Sequence, residues 1–226
     1  MTSSKDLRNV ILLGLLVLAL LLSLFPFFIV EASSPLLISE VFYDTPGTDS
    51  DEEWIEIYNP TLSTIPLSDY KVGDEEEQGG SEGMYQFPSG ASISPGGVIV
   101  VALKATGFHA LYGFNPDYEV TDTDATVPDM IKYSAWATGK IALGNTGDEV
   151  LLLDGSDNPV DVVVYEGGSY PGVTPHPGVS TGHSLERVPA GRDTDDCSAD
   201  FTDQEFPTPG DLPTYTIYLP LVVKNH

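Results

Sequence analysis

Between Pro35 and Pro213, glycine and proline recur every few residues, mostly at the ends of short apolar runs. That punctuation leaves little room for a long helix, because proline lacks a backbone donor and glycine loses the most entropy on ordering. What survives between the breaks is strand-length. LLISEVFY (36–43) is apolar and aromatic. EEWIEIYN (52–59) alternates: Ile55 and Ile57 face one way, Trp54, Glu56 and Tyr58 the other, and Asn59-Pro60 stops it. IPLSDYKV (65–72) is a third predicted strand, followed by MYQF (84–87), ASI (91–93) and VIVVALK (98–104). The last is apolar on both faces, as a central strand is. DEVLLLD (148–154) and PVDVVVY (159–165), joined through GSDN, predict a hairpin, and GHSLERV (182–188) predicts a final strand.

The rest of this region reads as links. KATGFHALYG (104–113) carries Phe108, Leu111 and Tyr112 at helical spacing, with Gly113 placed to end the turn. Residues 114–137 read as an insertion with one short helix beginning near Pro128. DEEEQGGSEG (74–83) reads as a solvated loop that buries nothing, GGSYPGVTPHPGVSTG as a long Gly/Pro loop, and DTDDCSADFTDQEFPTPG (193–210) as polar and turn-rich. Many short strands and almost no helix predict an all-β sandwich of Greek-key type spanning 35–213 as one domain.

Residues 1–32 read differently. Lys5 and Arg8 precede a run uncharged from Val10 to Val30, followed by Glu31 and Ala32. A basic start, an apolar run and a small-residue exit form a secretory signal, with a cut after Ala32. As a helix, the run reaches about 31 Å, enough to remain as an uncleaved anchor. Both readings export the remainder and place it outside the cell or at its surface. Setting aside Lys5, Arg8, Asp6 and Glu31 removes two charges of each sign, so the exported part keeps the full net charge of −25. Such a chain is repelled by phosphate backbones and anionic lipids, which argues against nucleic acid as a ligand. Any membrane contact falls to the N-terminal segment. Cationic surfaces, divalent cations and uncharged glycans remain as partners. The one cysteine, Cys197, leaves the fold to stand on its core, as a monomer without an internal disulfide.

The ordered pieces ISEVFYD, EWIEIYNP, IPLSDYKV, FPSG, SPGG, LGNTGDEVLLLD, PVDVVVY, GHSLERV and PTPG resemble the lamin tail domain, of the type found on exported bacterial proteins. No single piece is specific; their shared order across 36–211 carries the resemblance. It implies an immunoglobulin-like β-sandwich with a structural or binding role, toward a protein, cell-surface or glycan partner, and no catalytic residues to carry over. The stretches 74–83, 104–137 and 166–181 are longer than the family's usual links, which makes them the places to look for a ligand. The closing YTIYLPLVVKNH (215–226) falls outside the resemblance. It reads as an added strand over 214–226 or as a surface-sorting tail.

Acidic runs raise the question of calcium, which takes six to eight oxygens from a loop. Asp44, Asp49 and Asp51, with Glu52, are one candidate set; Asp193, Asp195 and Asp196, with Asp200, are another. Neither shows the twelve-residue calcium-loop pattern, so each also reads as a solvated link or a turn closed by its own Asx side chains. His109, His176, His183 and His226 lack zinc spacing. GHSLER lacks the final glycine of a nucleophile elbow around Ser184, and the acids beside Cys197 disfavour its thiolate. Tyr43, Trp54, Tyr58 and Trp136 can form a sugar platform or pack a core. The expectation is a non-enzymatic exported module without a cofactor. A calcium-dependent adhesion or carbohydrate-binding module and a secreted hydrolase are the alternatives.

Overall fold

Alternation becomes architecture in β1 (Leu37–Phe42) and β2 (Trp54–Tyr58), which pair antiparallel with Val41 opposite Ile55 and Phe42 opposite Trp54. The computed structural model describes residues 36–213. The predicted N-terminal signal or anchor helix and the 214–226 tail strand lie outside the described residues. Eleven further strands follow: β3 (Ile65–Pro66), β4 (Lys71–Gly73), β5 (Met84–Gln86), β6 (Ser92–Ile93), β7 (Val98–Ala102), β8 (Tyr118–Glu119), β9 (Ile131–Lys132), β10 (Gly147–Leu153), β11 (Pro159–Glu166), β12 (Ser184–Arg187) and β13 (Phe201–Gln204). One sheet runs β13-β12-β1-β2-β7-β8 and the other β11-β10-β4-β5-β9, with β3 and β6 as a separate ribbon. Every strand pairing is antiparallel except β7 with β8.

The core fills the space between the sheets. Ile38, Val41, Ile55, Ile57, Ile99, Val101 and Leu185 come from the first sheet; Val72, Tyr85, Val150, Leu152, Val163 and Tyr165 from the second. Sequence alternation predicted the inward face of β2, with Ile55 and Ile57 together. The outward faces are not solvated, however, and this corrects the simple in–out reading. Phe42, Trp54, Val100 and Ala102 form a second cluster on the far side of the first sheet, sealed by Phe108. Leu151, Leu153 and Met84 form a third on the far side of the second sheet, sealed by Ala137, with Tyr133 and Trp136 packed against it. Both lids come from the insertion 104–137. Each buried Val, Leu or Phe there contributes about 1.5–3 kcal/mol, which explains why the insertion is held in place.

Among the described residues there are three helices: the single turn α1 (Asp49–Glu52), the eight-residue α2 (Ala105–Tyr112) and the single turn α3 (Cys197–Asp200). The predicted helix at 104–113 is α2. Gly113 ends it at φ 79°, donating its N–H to the His109 carbonyl at 2.8 Å. Its first turn is held by Glu119, which accepts from the Ala105 N–H at 2.9 Å. No helix begins near Pro128. There the chain is extended, because the Glu119 N–H donates to Pro128 and the Met130 N–H donates back to Glu119. The predicted strand 65–72 is two strands, β3 and β4, parted by a turn in which the Tyr70 N–H meets the Leu67 carbonyl at 2.8 Å. The run 193–210 is more ordered than its polarity suggests: it holds α3 and the edge strand β13. None of the three helices is long and apolar enough to cross a membrane.

Candidate functional site

Two of the three lengthened links meet. The loop 74–83 leaves β4, and the start of 166–181 leaves β11. Together with the head of β10 they surround an open concavity of about 450 Å³ lined by Glu75, Glu76, Glu82, Asp148 and Glu149, by Ser81 and Ser169, and by glycines. No basic side chain lines it. The glycines are needed: a Cβ on Gly147 would lie 2.2 Å from the Gly167 nitrogen, and one on Gly80 would lie 1.9 Å from the Glu75 carboxylate.

The expectation that 74–83 buries nothing is corrected. Asp74 and Glu75 are both buried. Asp74 pins the base of the loop, accepting from the Gly83 and Ala142 N–H groups at 2.7 Å each. Glu75 accepts from the Glu82 N–H at 2.8 Å, while its own carbonyl takes the Trp136 indole N–H at 2.9 Å. Backbone donors meet both carboxylates, which offsets part of the cost of burying them. Burial, followed by mutual repulsion with Asp148, pushes Asp74 up to about 6 even against those donors. Burial and the neighbouring Glu76 and Asp148 push Glu149 up to about 7. Behind the rim, burial pushes Glu53 up to about 8, with Asp49, Asp74 and Asp148 adding to it. The Tyr165 hydroxyl, within the electrostatic reach of Asp148, Glu53 and Asp74, is buried without a hydrogen-bond partner. Electrostatically, this end of the molecule favours a positive charge arriving.

The sequence candidates for calcium are placed elsewhere, and all of them but Asp195 have side-chain partners of their own among the described residues. Asp44 accepts from the Thr181 hydroxyl at 2.7 Å. Asp49 accepts from the Thr45 hydroxyl at 2.8 Å and the Asn145 amide at 2.9 Å. Asp51 is ion-paired with Lys104, whose hydrogen bond holds its carboxyl below the usual range. In the second set, Asp193 accepts from Arg187 at 3.3 Å, Asp195 sits at φ 55°, and Asp196 accepts from the Ser198 hydroxyl at 2.6 Å. Asp200 is buried and takes the Thr194 N–H at 2.7 Å. Among the described residues, the acids whose oxygens converge within 4.8 Å are Glu75–Glu76–Glu82 and Glu119–Asp122–Asp129. Glu119 is already occupied: burial alone would raise it, but the Thr123 hydroxyl and the Ala105, Asp124 and Thr123 N–H groups hold it below the usual carboxylate range.

The residues weighed for catalysis are each engaged with neighbours. Ser184 is buried and donates to Glu40. Cys197 is buried, which pushes its thiol up to about 11; its sulfur meets the Val164 N–H at 3.4 Å along the outer edge of β11. His183 pairs with Asp203 at 2.6 Å, His109 with Asn115 at 2.8 Å, and the His176 ring accepts from the Gly178 N–H at 3.1 Å. His226 lies outside the described residues. Tyr43 and Trp54 are buried, so they form no exposed platform.

Sequence reading also placed the acids between Tyr43 and Trp54 in an exposed link. Glu53 is instead buried, as are Glu40 within β1 and Glu56 within β2. A β-bulge at Ser39 sets Glu40 directly across from Glu56 and lets the Ser39 hydroxyl reach Glu56 at 2.7 Å. The signal available in sequence was only that Glu40 and Glu56 sit inside strand runs.

The family model described as Lamin Tail Domain matches residues 30–167. No curated protein matches. Among solved structures, the chain is similar to the crystal structure of a DUF4876 family protein from Bacteroides thetaiotaomicron VPI-5482, with a TM-score of 0.57 and 13% identity over 81% of this chain and 75% of that one. At that identity the likeness speaks for the fold alone.

Proposed function

Because the chain belongs to the lamin tail domain family, with its immunoglobulin-like fold, we propose that it acts without catalysis, as an exported interaction module that presents an acidic face to a basic protein or cell-surface partner. The observation that carries this reading is the concavity where loops 74–83 and 166–169 meet, lined by five carboxylates and no basic side chain. A lysine- or arginine-rich surface fits it by charge, and nucleic acid does not. On this reading the module works as a monomer outside the cell or on its surface, with membrane contact confined to the N-terminal segment.

The test uses the exported chain and an oligolysine probe. Binding that weakens steeply with salt, and about tenfold on Glu76→Gln with Glu149→Gln, is expected. No binding, or binding indifferent to both substitutions, overturns it. Turnover of an ester or glycan substrate that a single substitution abolishes would return the hydrolase reading.

A calcium-dependent form of the same module is favoured by one geometric fact, the convergence of Glu75, Glu76 and Glu82 oxygens within 4.8 Å. Under that reading, millimolar calcium raises the melting midpoint and Glu82→Gln removes the rise. Asp44, Asp49, Asp51, Asp193 and Asp196, engaged as described, would respond less, and so would Asp195, which lies apart from the converging oxygens.

A further inference from the structure

Three glutamates stand in a row across three neighbouring strands on the outer side of the first sheet. Glu186 of β12 is paired with Glu40 of β1, which is paired with Glu56 of β2. All three are buried. The segment 205–213 following β13 lies over them. Its Thr208 N–H donates to Glu40 at 3.1 Å and its Gly210 N–H donates to Glu56 at 2.7 Å. The Thr208 hydroxyl sits 3.5 Å from a Glu40 oxygen and 3.3 Å from a Glu186 oxygen.

Thr208 has one hydroxyl hydrogen for two carboxylate oxygens, so it serves both ionised groups only by sharing that hydrogen, and a proton on either carboxyl group relieves the shortfall. Like charges directly opposite on adjacent strands also repel. We propose that segment 205–213 is a proton-held clasp: it closes on the Glu186–Glu40–Glu56 row while the row retains a carboxyl proton, and it is released as the row becomes fully ionised.

The groups around the row support this. From β1, Ser39 and the glutamate itself face it; from β12, Ser184, which donates to Glu40. From β13, Gln204 donates to Glu186 at 2.9 Å. From the loop before β8, Asp117 adds negative charge near Glu56, and the neutral Tyr112 phenol of α2 lies near Glu40. The clasp itself carries Asp211. No lysine, arginine or histidine figures among the groups that shift the three. Burial pushes Glu40 up to about 8 and Glu56 up to about 7, outweighing the clasp's Thr208 and Gly210 N–H donors, which favour the ionised forms, and it raises Glu186 as well. A hydrated, open row would titrate lower. By linkage the closed form binds more protons, so falling pH favours closure and rising pH favours opening. Opening would expose the row and do away with the cleft of about 500 Å³ that Thr208 and residues 211–213 of the clasp form with Glu186 and Gln204.

Amide hydrogen exchange tests the clasp in the full exported chain. Corrected for intrinsic rates and compared with core amides of Ile55 and Val101, protection at Thr208 and Gly210 is expected to fall about tenfold or more between about pH 6 and about pH 9. In Glu40→Gln with Glu56→Gln, where neutral amides keep the acceptor oxygens, the fall is expected to shrink to within about threefold. Constant protection in the wild type overturns the proposal, and so does an equal fall in the double variant. A readout without substitutions runs alongside: loss of protection should track the carbon-13 shift of whichever of the Glu40, Glu56 and Glu186 carboxyls ionises last. Full ionisation of all three below about pH 5.5 with the two amides still protected would overturn it.

Discussion

Arg187 shows what a single residue does here. It is buried in β12, and its guanidinium meets Asp161 at 2.7 and 3.0 Å, the Ile38 carbonyl at 2.9 Å and the Arg192 carbonyl at 2.7 Å. Its charge also lies over the Phe201 ring at 4.5 Å. One side chain therefore ties β1, β11, β12 and β13. It also explains why Asp193 and Asp200 gather there: each is within ion-pair range of this cation. Breaking a buried pair leaves the remaining charge uncompensated, whereas replacing both partners by apolar groups does not. Arg187→Met is expected to cost about 3–5 kcal/mol in urea unfolding. Arg187→Met with Asp161→Leu is expected to recover a large part of it. Equal losses in the two variants would mean that packing, and not the stranded carboxylate, dominates. Sequence placed Arg187 in a strand but could not name Asp161, twenty-six residues away, as its partner.

The elements follow the same division. The hairpin of β10 and β11 was legible because its signal is local: two strand-length runs around Asp154–Asn158, in which Asn158 and Asp154 bond each other's backbone and side chains. Helix α2 was legible because its spacing and Gly113 are local too. Strand β13 was not, since Asp203 is a poor strand former and the acids around Phe201 and Thr202 mask their preference, so the run becomes strand by pairing with β12. Pro128 was misread for a similar reason: pairing with Glu119 overrode its helix-start preference. The seat of α2 makes a prediction at this scale. A Cβ on Gly107 would lie 1.9 Å from the Asp51 carbonyl oxygen. Gly107→Ala should gain about 1 kcal/mol of helix propensity yet lose stability overall, by about 1–3 kcal/mol, because α1 must move aside. A higher urea midpoint would show that α2 is not seated so closely on α1.

At the scale of the whole molecule, the buried acids set the pH behaviour. Burial raises Glu40 and Glu53 to about 8, Glu56 to about 7 and Asp74 to about 6. Between about pH 4.5 and about pH 8 the unfolded chain has therefore released protons that the folded chain still holds, and stability falls as pH rises. Acids held low by donors, such as Glu119 and Asp154, act in the opposite sense below about pH 4. Stability should accordingly peak near about pH 5 and decline toward about pH 8, opposite to the usual acid sensitivity. Urea unfolding across that range would show it, and a flat or rising profile would contradict it. The sequence by itself determined most of the strands, the inward face of β2, the hairpin and the family, because those signals repeat over a few neighbouring residues. Only the tertiary structure decided which of the many acids are buried, that the insertion seals both outer faces, and that loops 74–83 and 166–169 share one concavity. A carboxylate's burial depends on what packs over it from distant parts of the chain, and period and composition do not encode that.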